Sequence, residues 1–138
     1  MNLRTLLLLL ITSLLINGCG QGGPTVVPVR GVLLDGGTAV EGAMVELTPA
    51  NGRPSHGITG KDGRFTLRYS PNRLGALPGE HRVRVTVGMA AYEAALEPGE
   101  APKPDAPKLE AYVLAEPVGI NKKSSDLRLN LKEMTKSQ

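Results

Sequence analysis

Residues 80–87 read Glu80-His81-Arg82-Val83-Arg84-Val85-Thr86-Val87. Two chemical characters alternate along this stretch with period two. His81, Val83, Val85 and Val87 share one side of an extended chain, and Arg82, Arg84 and Thr86 share the other. That is the pattern of an antiparallel strand with one face in a core and one in water. A helix would scatter the same residues around its circumference. Gly79, just before the stretch, reads as a turn residue.

The same period extends outward on both sides. In Arg64–Tyr69, Phe65, Leu67 and Tyr69 alternate with Arg64, Thr66 and Arg68. In Ala43–Thr48, Ala43, Val45 and Leu47 form one face. Residues 26–34 read as a further strand, in which Pro28 suits an edge position or a strand start. A short strand is expected at Gly57–Thr59. Near the end, Leu127, Leu129 and Leu131 alternate with Arg128, Asn130 and Lys132. Turn signals separate these runs: Asp35-Gly36-Gly37, Asn51-Gly52 and Gly60-Lys61-Asp62-Gly63. About seven short strands at close spacing predict an all-β, antiparallel Greek-key sandwich. Residues 89–96 (MAAYEAAL) suit one or two helical turns, too short to stand alone. Residues 97–108 carry four prolines and predict an exposed, extended excursion before the last strands.

The N-terminus is of another kind. Eleven of the first eighteen residues are hydrophobic, and Arg4 is their one charge. The apolar run Leu6–Ile16 is shorter than the roughly 20 residues that span a bilayer and has the length of a signal-peptide core. It ends in Ile16-Asn17-Gly18-Cys19, which resembles the bacterial lipobox. The resemblance implies signal cleavage between Gly18 and Cys19 and acylation of Cys19, with palmitate-type chains anchoring the protein in a membrane. Several acyl chains give stable anchoring, at about 0.8 kcal/mol per buried methylene. Gly20 stands where aspartate signals inner-membrane retention, which favours the outer membrane. The expected organisation is a signal peptide at 1–18, a flexible tether at 19–25, a sandwich at 26–132 and a polar, frayed tail at 133–138.

Several segments together resemble a known family. They are Val29-Arg30-Gly31-Val32, Gly42-Ala43-Met44-Val45-Glu46-Leu47, Thr59-Gly60-Lys61-Asp62-Gly63-Arg64-Phe65-Thr66-Leu67 and Leu77-Pro78-Gly79-Glu80. This set is similar to the carboxypeptidase regulatory-like domain, a transthyretin-like (prealbumin-like) sandwich also found alone in small bacterial lipoproteins. The resemblance spans 26–88 and implies an accessory module rather than an enzyme. Gly31 fits a bulge or close packing, Gly42-Ala43 a narrow passage into the sandwich, Asp62-Gly63 a tight turn, and Phe65 a core anchor. The late Lys-Tyr pair common in relatives is replaced by Lys122-Lys123-Ser124.

Composition narrows the functional classes. A net charge of +3 and four aromatics, Phe65, Tyr69, Tyr92 and Tyr112, exclude a convincing nucleic-acid surface. One cysteine forms no internal disulfide, and with His56 and His81 it builds no metal site. Ser55-His56 is no nucleophile pair, because neighbours in a strand face opposite ways. Asp35 and Asp62 precede glycine and read as turn residues, without the spacing of a calcium loop. The His-x-x-Glu zinc pair of the metallocarboxypeptidases is absent. So is the Tyr-Arg-Gly-Ser tail of hydroxyisourate hydrolase; the chain ends Met134-Thr135-Lys136-Ser137-Gln138.

The reading is therefore a non-catalytic, lipid-anchored envelope module for binding or structure, without a cofactor. Its partners are the membrane and an envelope protein or glycan. The alternative is an accessory subunit of an envelope transport or secretion assembly, with a hydrolase a more distant third. Arg64, Arg68, Arg82 and Arg84 all point outward. If their strands lie close, they form a basic stripe suited to anionic headgroups or acidic polymers; otherwise they are a solvated face that discourages aggregation.

Overall fold

Burial follows the alternation in the sequence. The structure is a computed structural model that describes residues 22–96, 98–99, 101–123 and 125–137. Along β8 (Gly79–Val87), His81, Val83 and Val85 are buried while Arg82 and Arg84 are exposed. In β3 (Met44–Pro49), Val45 and Leu47 turn inward. The run at 64–69 behaves similarly but is split. β5 (Arg64–Thr66) and β6 (Arg68–Ser70) flank Leu67, and Phe65 and Leu67 are both buried.

The remaining strands are β1 (Val29–Asp35), β2 (Thr38–Ala39), β4 (Ser55–Ile58), β7 (Arg73–Leu74), β9 (Glu110–Leu114), β10 (Val118–Ile120), β11 (Ser125–Asn130) and β12 (Met134–Ser137). Among the described residues one short helix, α1 (Met89–Ala94), follows Gly88 and buries none of its residues. A single 3-10 turn (Leu131–Glu133) links β11 to β12. Splitting raises the described strands to twelve, against about seven expected.

These strands form two sheets. In the smaller, β1 lies between β11 on one side and β2 and β5 on the other. The larger runs β12-β9-β8-β3-β4-β6-β7, with β10 also paired to β8. The core fills the space between them. Val29, Leu33, Phe65 and Leu129 come from the smaller sheet, and Val45, Leu47, Val83, Val85 and Ile120 from the larger. Each such side chain contributes about 1.5–3 kcal/mol by leaving water. The architecture is an all-β sandwich.

Phe65 is the core anchor expected of it, and Gly31 explains how it fits. A Cβ at Gly31 would lie 2.5 Å from the Phe65 ring and 2.5 Å from the Leu127 carbonyl oxygen. The missing side chain lets the ring rest on the β1 backbone. The turn before β5 is also built as read. Asp62 Oδ1 accepts from the Arg64 amide at 3.1 Å, and Gly63 has φ +73°. Ala43 is fully buried, with its amide bonded to the Thr59 hydroxyl at 2.9 Å.

Four expectations are corrected. First, the last long strand pairs in parallel: β11 runs beside β1 from Val29↔Ser125 to Leu34↔Asn130. Second, the Pro28-containing strand is no edge, because Pro28 precedes β1 and β1 is flanked on both sides. Third, the tail is not frayed. Met134–Ser137 forms β12 against β9, held by Lys136 Nζ to Glu110 Oε1 at 2.7 Å. Fourth, the tether is shorter than 19–25, since the Pro24 carbonyl accepts from Arg73 and Val27 bridges Ala76. Residues 101–109 contain no strand and are mostly exposed, which matches the excursion expected between β8 and the last strands.

Candidate functional site: a basic recess beside the tether

The four outward arginines do not share one stripe. Arg82 and Arg84 lie on the outer face of β8. Arg68 lies on the same sheet, but two strands separate its strand from that of Arg84. Its row reads Arg84, Glu46, His56, Arg68 across β8, β3, β4 and β6, so a carboxylate interrupts the positive charge. Arg64 belongs to the other sheet, opposite Val32, with its Nε 3.6 Å from Asp62 Oδ2. Period-two alternation gave the face of each residue but not its sheet.

A tighter basic cluster forms where β6 meets its neighbours. The guanidinium carbons of Arg53 and Arg73 lie over the Tyr69 ring, at 5.5 Å and 5.8 Å from its centroid. Such cation–π contacts contribute about 0.5–1 kcal/mol each at exposed sites. Arg68 Nη1 donates to the Pro71 carbonyl at 2.6 Å, which orients its fork. Arg53, His56, Arg68, Tyr69, Ser70 and Pro71 line an open recess of about 420 Å³. No carboxylate is among them. Planar guanidinium forks match carboxylate and phosphate oxygens, so the recess is chemically suited to an anion.

The recess is joined to the N-terminal segment. Arg73 reaches both Tyr69 and the Pro24 carbonyl. One side chain therefore ties the tether's docking point to the recess wall. Arg53, Tyr69 and Arg73 were missed as site residues in the sequence. The four-residue spacing of Tyr69 and Arg73 across Pro71-Asn72 was the available signal, since a hairpin there brings them together. Nothing local indicated Arg53, which sits in the loop between β3 and β4.

Other titratable groups are structural. Ser55 is buried and His56 exposed, so the dipeptide faces two ways. The Ser55 hydroxyl has no hydrogen-bond partner among the described residues. His81 is 2% exposed, with Nδ1 3.1 Å from the Gly79 carbonyl oxygen. Burial lowers its pKa from the ordinary value, and the Gly79 contact offsets part of that shift. At β9–β12, the bond from Lys136, then that from the Tyr112 hydroxyl (2.9 Å), holds the Glu110 carboxyl below its usual range. The same bonds to Glu110 raise Lys136 and Tyr112. Gly18 and Cys19 lie outside the described residues.

No family model matches the chain, and no curated protein matches it. Two solved structures are similar in outline. One is a DUF3823 family protein from Parabacteroides merdae, with 15% identity and a TM-score of 0.40. The match covers 83% of this chain and 48% of that one, so this chain spans about half its length. The other is the 5-hydroxyisourate hydrolase of Klebsiella pneumoniae, with 18% identity, a TM-score of 0.33, and coverage of 81% and 97%. At these values the likeness says nothing about activity.

Proposed function

We propose that the protein is a non-catalytic, lipid-anchored module of the cell envelope whose basic recess binds anionic groups at the membrane surface. The observation that carries this reading is the link from Arg73 to both Pro24 and Tyr69. If Cys19 is acylated, Pro24 lies five Cα–Cα steps from the anchor, a reach of at most about 18 Å. The recess then stands close to lipid headgroups. Each basic residue near an anionic surface contributes about 1 kcal/mol, so Arg53 and Arg68 supplement the acyl anchor and set the sandwich's orientation. The family resemblance supports an accessory role. Its marks at Gly31, Ala43, Asp62-Gly63 and Phe65 all do structural work in the fold.

The anchor and the recess are tested apart. Cys19→Ser should abolish acyl labelling and release the chain from membranes; retention with labelling contradicts the anchor. The released chain should then bind vesicles containing phosphatidylglycerol and ignore those of phosphatidylcholine alone. Equal binding to both contradicts the recess. A stoichiometric partner co-purifying from detergent extracts would favour the subunit reading instead.

A further inference from the structure

The sandwich is open along one flank, where β11 has β1 on one side and no strand on the other among the described residues. The Ser125 amide donates to the Pro28 carbonyl at 3.0 Å, which fixes the parity of this parallel ladder. In such a ladder alternate residues turn both backbone groups to the neighbour. Ser125, Leu127 and Leu129 therefore face β1. Asp126, Arg128 and Asn130 present their N–H and C=O groups to the open side, a ready template for another strand.

The side chains select the occupant. Asp126 and Arg128 are exposed, lie on the outer face, and form no hydrogen bond or ion pair among the described residues. Place a second β11 antiparallel to the first, with a two-fold axis through Leu127. Asp126 then stands opposite Arg128 of the second copy, and the reverse pair forms by symmetry. Both residues belong to the outward set, so each pair also exchanges two backbone hydrogen bonds. Sliding by one residue at each strand centre sets Asp126 against Asp126 or Arg128 against Arg128, which repel. Only the register centred on Leu127 pairs opposite charges. On the inner side it brings the two half-buried Leu127 side chains together.

We infer that β11 is a self-pairing edge and that two copies of this chain join through it. The axis runs along the sheet normal, so both copies present the outer faces of their larger sheets, with His56 and Arg68, on the same side. That is what attachment to one membrane requires, although the pairing does not depend on the anchor. Two short strands make a small interface, so the dimer is weak in dilute solution. Confinement to a surface raises the effective concentration.

Sedimentation equilibrium of the full chain in detergent micelles, over a concentration series, tests the inference. The wild type should show a monomer–dimer equilibrium. Asp126→Arg or Arg128→Asp alone should weaken it by about tenfold or more, because two attractions become repulsions. The combined Asp126→Arg/Arg128→Asp exchange should restore the constant to within about threefold of wild type. Both side chains are exposed, and unchanged circular-dichroism melts show that each variant is folded. A wild type that stays monomeric overturns the inference and leaves β11 to a strand of another protein. Single reversals without effect, or an exchange that fails to restore association, overturn it equally.

Discussion

The two flanks of the sandwich solve the same problem in opposite ways. On the closed flank, the run from Arg64 to Ser70 passes from one sheet to the other. β5 pairs with β1, β6 pairs with β4, and the Leu67 amide between them donates to the Val29 carbonyl at 3.0 Å. Phe65 and Leu67 are buried beneath the crossing. No long strand edge remains there, because the chain itself joins the sheets. On the open flank, β11 and β12 are joined only by the 3-10 turn at 131–133. Leu129 of β11 reaches the core, but Leu127 and Met134 are only partly buried. Outward charges, Asp126, Arg128 and Lys136, guard the exposed backbone. Core stability is therefore concentrated on the closed flank, and selectivity of association on the open one.

Truncating one apolar anchor on each flank should show the largest difference between them. Phe65→Ala should cost about 3–5 kcal/mol in urea unfolding, and Leu127→Ala only about 1–2 kcal/mol, since less of Leu127 leaves water. Equal losses would erase the distinction. Gly31→Ala tests the seam between the flanks. Its Cβ meets the Leu127 carbonyl as well as the Phe65 ring, and backbone cannot swing aside, so a loss of about 1–3 kcal/mol is expected.

His81 gives a smaller, pH-dependent effect. Its folded pKa is lowered, so the unfolded chain binds more protons in acid. The stability it contributes is complete above its ordinary value of 6.5 and is lost as pH falls from there through the folded pKa. His81→Leu should flatten the fall of the unfolding midpoint as the solution is acidified below about pH 6.5. An unchanged slope would assign the acid sensitivity elsewhere. The most local effect concerns β12. Removing residues from Met134 onward should speed hydrogen exchange at Ala111–Leu114 and leave β1 protected, because β12 pairs with β9 alone. Loss of protection in β1 would show that the open flank supports the whole fold.

The closed flank was largely legible in the sequence. Alternation in 64–69 and 80–87 placed Phe65, Leu67, Val83 and Val85 inside, and Asp62-Gly63 marked the turn that β5 needs. These are local signals, carried by residues close in the chain. The open flank was less legible because its order depends on distant partners. Leu127 and Leu129 signalled a strand but not its parallel pairing with β1. Met134–Ser137 reads as a polar tail until Lys136 finds Glu110 twenty-six residues earlier. Pro28 suggested an edge, yet it stops just short of the strand whose neighbours it was expected to limit. Facing direction was readable for all four arginines, but sheet membership was not, so the stripe dissolved. The recess that replaced it needs the β6–β7 hairpin and the loop at Arg53 to meet around Tyr69.

If the recess, rather than the flat arginine face, meets anionic groups, a titration of the unacylated Cys19→Ser chain with phosphatidylglycerol vesicles separates the two. Arg53→Ala/Arg68→Ala is compared with Arg82→Ala/Arg84→Ala. At about 1 kcal/mol per contacting arginine, the recess pair should weaken partitioning by about tenfold to thirtyfold, and the β8 pair by less than about threefold. Equal losses, or a larger loss from the β8 pair, would contradict the recess reading.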